Sequence, residues 1–246
     1  YAKIITRANG AAVYTLDNKI SVGTTYYYKV RAYCKVGTEL KESAFSNAIT
    51  FTPELGKVLN LKATSASTSS VKLTWTAVAG ATGYDIYQVS ASTGKSTCIA
   101  SVGAVVTYTQ YGLVLGTEYI YEVKAKKGTA AGAKSDQVIG TPLLPKPNKF
   151  TLTATTGTSQ LTAGWEAVTG ADGYRVLCRD PSTLRYTLIQ TLNDSNLTST
   201  VIDAYSDGTP FVAGDMPSIR VQAYFTKSDG SICVGQAASQ ITCEVK

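Results

Sequence analysis

The chain has 246 residues, 44% hydrophobic and 16% charged, and its 23 Lys and Arg against 17 Asp and Glu give a net charge of +6. That is enough apolar material for packed cores, too little charge for a disordered chain, and a length that suits one or two domains. His is absent, which excludes a Ser-His-Asp triad, a Cys-His pair, His-ligated zinc and a His general base. No apolar run reaches about 18 residues, so no transmembrane helix is expected. Tyr occurs 16 times, Gly 21 times and Met once, and Thr, Ser and Val are abundant. β-branched and aromatic residues suit a half-buried pleated surface, and no stretch repeats apolar residues at helical spacing, so the chain reads as all-β.

In chain order, the first strand signal lies in VGTTYYYKVRAY at residues 22–33. Alternation turns Tyr26 and Tyr28 inward and leaves Tyr27 exposed. A short linker follows, Phe51-Thr52-Pro53-Glu54-Leu55-Gly56-Lys57. Next, Val71, Leu73 and Trp75 alternate with Lys72 and Thr74, and a Gly-rich turn leads into Tyr84-Asp85-Ile86-Tyr87. Tyr119, Tyr121, Val123 and Ala125 alternate with Ile120, Glu122, Lys124 and Lys126, placing one face on a core and one toward water. Pro142-Leu143-Leu144-Pro145-Lys146-Pro147 holds three of the seven prolines and reads as an extended, semi-rigid linker. The strand pattern resumes at residues 161–177, passes a turn-rich Ser206-Asp207-Gly208-Thr209-Pro210 stretch, and ends in AGDMPSIRVQAY at 213–224.

These segments repeat. Trp75, Ala77, Val78, Gly80, Ala81, Gly83 and Tyr84 recur 90 residues later as Trp165, Ala167, Val168, Gly170, Ala171, Gly173 and Tyr174. VGTTYYYKVRAY recurs as LGTEYIYEVKAK at 115–126 and, more loosely, as AGDMPSIRVQAY. The Trp at a strand end, the Gly-rich turn into a Tyr strand and the Leu-x-x-Gly-Thr-x-Tyr-x-Tyr-x-Val strand resemble the fibronectin type III module, in the tandem form found in bacterial secreted and cell-surface proteins. The resemblance implies tandem immunoglobulin-like antiparallel β-sandwiches. It divides the chain into the C-terminal half of a module at 1–54, a module at 55–144, and a module at 145–246 with a longer loop before its sixth strand. It also makes Tyr119 and Tyr26 tyrosine corners, whose hydroxyls bond back to the backbone. At the third such position stands Pro217, which has no hydroxyl, so that corner must be built differently. The Trp partner of Gly23 would fall before Tyr1, so the first module reads as a fragment of a larger chain, with completion by strands of another chain as the alternative.

Candidate sites are few. Cys34, Cys98, Cys178, Cys233 and Cys243 are an odd number without a C-x-x-C pair. In the family's sheet order Cys178 and Cys243 lie about two strand spacings apart, beyond disulfide reach, so all five are expected free. Lys124, Lys126 and Lys127, with Lys29 and Arg31 at comparable positions, form a basic stripe that could meet an anionic polymer, although a solvated strand face is the plainer reading. Asp203, Asp207 and Asp215 flank the long loop but lack the spacing of a calcium loop. Asn193-Asp194-Ser195 and Asn196-Leu197-Thr198 are formal glycosylation sequons. No catalytic, cofactor-binding or metal-ligating residue stands out, and no ligand-binding residue can be assigned.

The sequence therefore points to a noncatalytic extracellular array, secreted or at a cell surface, acting as spacer, stalk or adhesive segment and needing no cofactor. The alternatives are a structural subunit of a filament, surface layer or virus-tail appendage, and accessory modules of a large carbohydrate-active enzyme. The expected partner is a protein or polysaccharide, another copy, or the rest of its own chain through the first module, with no nucleic acid and no membrane insertion.

Overall fold

The computed structural model describes residues 20–246. Residues 1–19 of the first predicted module lie outside them. Among the described residues every regular element is a strand and every pairing is antiparallel.

The first unit contributes β1 (Tyr26–Tyr28), β2 (Tyr33–Val36), β3 (Glu39–Glu42) and β4 (Ile49–Phe51), with β1 paired to β4 and β2 to β3. No residue from 20 to 54 is buried, and Val30, Phe45, Ile49 and Phe51 lie exposed.

The second module is a two-layer sandwich. One layer is β5 (Lys62–Ser67), β6 (Ser70–Thr74) and β9 (Thr107–Gln110). The other is β7 (Gly83–Val89), β8 (Ser96–Gly103), β10 (Tyr119–Lys127), β11 (Ala130–Lys134) and β12 (Val138–Gly140), in the order β8-β7-β10-β11 with β12 also on β10. The third module repeats this plan. β13 (Thr151–Thr155), β14 (Gln160–Gly164) and β17 (Ser199–Ile202) form its smaller layer. β15 (Gly173–Arg179), β16 (Tyr186–Leu192), β18 (Ser218–Thr226), β19 (Ile232–Ala237) and β20 (Ile241–Thr242) form the larger one.

Period-2 alternation builds both cores. Leu73, Ile86, Tyr121 and Val123 are fully buried in the second module, and Leu161, Val176, Ile219 and Val221 in the third. Each Trp packs across the gap between layers onto the first Tyr of the next strand, with ring centroids 5.3 Å apart for Trp75–Tyr84 and 5.1 Å for Trp165–Tyr174. The tyrosine hydroxyls then turn back on the Gly-rich loop. Tyr84 accepts from the Val78 N–H at 2.9 Å, and Tyr174 from the Val168 N–H at 2.8 Å. The repeated Trp, Val, Gly and Tyr are thus one local device, a plate and a strut that fix the same turn twice.

The corners follow the sequence reading, and the third shows its substitute. The Tyr26 hydroxyl accepts from the Ser21 N–H at 2.7 Å, and Tyr119 from the Val114 N–H at 3.0 Å. Where Pro217 stands, the equivalent Val212 N–H donates to the Asp215 carboxylate at 3.0 Å. A carboxylate two residues upstream of the missing tyrosine satisfies the same backbone donor. The long loop before it closes on itself by an Ala204–Pro210 bridge and an edge-on Tyr205–Phe211 pair, which buries Phe211 in the core.

Candidate functional site: the joints between modules

The most specific construction in the chain lies where one module meets the next. In the first linker Leu55 is buried in the core of the second module, and Val22 packs against that same core. In the second linker Leu144 is fully buried in the core of the third, and Leu115 packs against it. Val22 and Leu115 occupy the same place in the repeat, immediately before Gly23 and Gly116.

Those glycines complete the joint. Gly23 and Gly116 adopt φ of +82° and +71°, which L residues with side chains rarely tolerate. The Gly23 N–H donates to the Pro53 carbonyl at 2.9 Å, and the Gly116 N–H to the Pro142 carbonyl at 2.9 Å, pinning each corner to its own outgoing linker. A Cβ on Gly23 would stand 2.6 Å from Ala130, and one on Gly116 would stand 2.6 Å from the Phe225 ring and 3.1 Å from the Cys233 sulfur. Each corner therefore abuts the last hairpin of the following module. The linkers lie as closely on the strand beyond. A Cβ on Gly132 in β11 would meet the Leu55 carbonyl oxygen at 2.6 Å, and one on Gly235 in β19 would meet the Leu144 Cβ at 2.7 Å. The second joint adds polar ties from the Gln236 N–H to the Leu144 carbonyl at 2.9 Å, and from the Leu143 N–H to the Ser65 hydroxyl at 2.8 Å. The sequence marked these linkers as stiff from their prolines. The 93-residue spacing of Gly23 and Gly116 marked the length of the repeat, but the linker leucines and the glycines that receive them, Gly132 and Gly235, were not singled out.

The candidate charged residues are mostly engaged. Lys126 pairs with Asp85 at 2.6 Å, and Asp85 also accepts from the Ser101 hydroxyl. Glu122 receives Lys134 and Ser96, each at 2.8 Å, and Gln137 at 3.0 Å. Burial raises the pKa of both carboxyls, but the hydrogen bonds outweigh it and hold both below the ordinary carboxylate range. Arg31 pairs with Glu42 at 2.6 Å and lies over the Phe45 ring. The lysine stripe of the second module is thus interleaved with carboxylates. Among the aspartates, Asp207 caps its own turn by accepting from the Thr209 N–H, while Asp215 serves the corner. No group of three or more metal-ligating side chains forms among the described residues. The Asn193 amide oxygen accepts from the Tyr224 hydroxyl at 2.8 Å.

All five cysteines are free. Cys178 is buried beside a shallow cavity lined by Asp180, Thr187, Tyr205 and Asp207. Burial, then the nearby Asp180 charge, push its thiol up to about 11, the opposite of what a nucleophilic thiolate needs.

Together the paired sheets, the Trp plates and the corners define tandem antiparallel β-sandwiches. Residues 56–141, the second module, match the fibronectin type III domain family, and the third module repeats the same antiparallel sandwich plan. It is 33% identical over 99 residues to a poly(3-hydroxybutyrate) depolymerase of Ralstonia pickettii, covering 40% of this chain and 18% of that protein. It is 34% identical over 119 residues to chitinase A1 of Niallia circulans, covering 44% of this chain and 16% of that protein. The chain thus spans less than a fifth of the length of either relative. Among solved structures, chicken CNTN1 FN1–FN3 domains match 92% of this chain and 77% of that one at 14% identity and a TM-score of 0.37. A two-domain segment of chicken tenascin matches 77% of this chain and 98% of that one at 19% identity and a TM-score of 0.35. No helix among the described residues is long and apolar enough to cross a membrane.

Proposed function

We propose that this segment is a noncatalytic spacer of a larger secreted or cell-surface protein, holding what lies on either side of it at a set separation and angle. The observation that carries this reading is the joint, built twice from the same parts. In each, a leucine of the linker sinks into the following core, an apolar corner residue packs beside it, and a corner glycine bonds to the linker proline. A flexible tether needs none of these, since mobile linkers keep their side chains in solvent. The two relatives favour an enzyme that works on a polymer as the parent: each is a degradative enzyme by name, matched over a small fraction of its length.

The test is a distance measurement across the second joint, with one label on the second module and one on the third. A narrow distribution is expected, broadening when Leu115→Ala removes an apolar contact and Gln236→Ala removes the bond that the Gln236 side-chain amide donates to the Ser65 carbonyl at 3.3 Å. A wild-type distribution as broad as that of the double variant would overturn the reading.

A further inference from the structure

The second and third modules share strand register but differ on the outer face of the larger sheet. In the second, Glu122 on β10 stands opposite Tyr87 on β7, and Lys124 opposite Asp85. In the third, Arg220 on β18 stands opposite Leu177 on β15, and Gln222 opposite Arg175. Register therefore puts Arg175 where the second module has Asp85, and Arg220 where it has Glu122. Both carboxylates that neutralise the second module's face have become arginines. Arg179 follows on β15, and Arg175, Arg179 and Arg220 take part in no ion pair among the described residues.

The three guanidinium groups are held, not loose. Arg220 lies 4.1 Å above the Tyr186 ring and reaches Gln240 at 3.4 Å. Its Nε and that of Arg175 are buried with no protein acceptor, so the stems are packed down against neighbouring side chains. Arg179 donates from Nε to the Leu184 carbonyl at 3.2 Å. Strand geometry sets their spacing. Arg175 and Arg179 are four residues apart on one strand, about 13 Å, and Arg220 sits diagonally from each at about 7–8 Å.

We infer that this face binds an acidic polysaccharide, a chain presenting one carboxylate per repeat, and this rests on the reading of the segment as a noncatalytic part of a polymer-acting protein. Three planar forks on one sheet face suit carboxylates carried along a chain, because guanidinium engages carboxylate through two parallel hydrogen bonds. Gln240 and Gln222 add amide groups for the hydroxyls between them. Single-stranded nucleic acid fits less well, since it needs an open aromatic face for its bases, and Arg220 covers the ring of Tyr186.

Affinity electrophoresis of the whole chain through gels containing sodium alginate tests this, with neutral hydroxyethylcellulose and single-stranded DNA as the other arms. Alginate is expected to retard the protein at low salt and hydroxyethylcellulose not to. Arg175→Asp with Arg220→Glu installs the second module's own residues and should raise the apparent Kd about tenfold or more, given the strength of charge-assisted hydrogen bonds. Arg175→Gln with Arg220→Gln should show the same direction and serves if the acidic pair disturbs the sheet, which melting curves would reveal. Undiminished retardation in folded variants, no retardation of the wild type, or equal retardation by DNA lost in the same variants would each overturn the assignment. None of these results alters the distance distribution across the joint, so the spacer reading is judged separately.

Discussion

Where the second module pairs Asp85 with Lys126 and Glu122 with Lys134, the third carries Arg175 and Arg220 on the same strands in the same register. Behind those faces the two modules are alike: a Trp on a Tyr, a tyrosine strut under a turn, and a fully buried Val from each of the two central strands in the third module where the second has Ile86 and Val123. The contrast teaches which positions the fold dictates. Inward residues must fill the gap between two sheets at close packing, so they repeat. Outward residues meet only water and their cross-strand neighbours, so charge there can reverse without cost to the core. The corner falls between these cases. Its backbone donor must be satisfied, but a tyrosine hydroxyl or an aspartate can do it.

The likeness of the cores is broken most severely at the tryptophans. Trp75→Ala and Trp165→Ala should each cost about 3–5 kcal/mol, the range for emptying a large buried aromatic site. Chemical denaturation followed by circular dichroism measures both, since each substitution removes its own module's fluorophore, and a loss under 1 kcal/mol at either site would show that its plate is not the keystone of its module. The corners give a smaller effect. Tyr119→Phe and Asp215→Ala each remove the acceptor of one backbone N–H and should cost about 1 kcal/mol. If Asp215→Ala leaves the third module's stability unchanged, the carboxylate is not the tyrosine's substitute.

The charged faces should differ with pH. Asp85 and Glu122 have lowered pKa values in the folded chain, so their stabilisation is complete above the ordinary carboxylate range near pH 4 and is lost as pH falls through the lowered values. Asp85→Asn with Glu122→Gln should therefore cost about 1–3 kcal/mol at pH 7, the range for hydrogen bonds to charged groups, and the gap from wild type should narrow as pH falls below the ordinary carboxylate range through the lowered values. A gap that does not narrow on acidification would mean that the loss is one of packing and not of charge. The mildest contrast is between thiols. Cys98 is exposed and Cys178 buried, so a thiol reagent at neutral pH should label Cys98 quickly and Cys178 only as the third module opens. Comparable rates at the two, followed by mass spectrometry, would contradict the burial of Cys178.

Much of the fold was legible. Alternation at Tyr119–Ala125 placed the inner face of β10, and the 90-residue recurrence of Trp75 as Trp165 announced the repeated sandwich before any contact was known. Pro217 announced a different third corner, because an absent hydroxyl is visible in a single residue. The replacement was not visible. Asp215 looked like one of three loop acids, and nothing in the residue types showed that the local turn, closed by the Asp215 N–H donating to the Val212 carbonyl, would set its carboxylate on the Val212 N–H. The lysine stripe misled in a related way. Lys126 is outward as expected, but Asp85 is 41 residues away in sequence and meets it only across the sheet.

The sequence by itself determined the class, the inward faces and the glycines at the corners, because side-chain alternation and positive φ are properties of short stretches of chain. The joints and the charge of each face were decided by tertiary structure. Leu144 is one apolar residue in a proline-rich linker until β19 presents Gly235 beneath it, and Arg220 is one outward cation until register sets it where the preceding module holds Glu122. Such pairings depend on residues brought together from far apart, and local pattern carries no record of them.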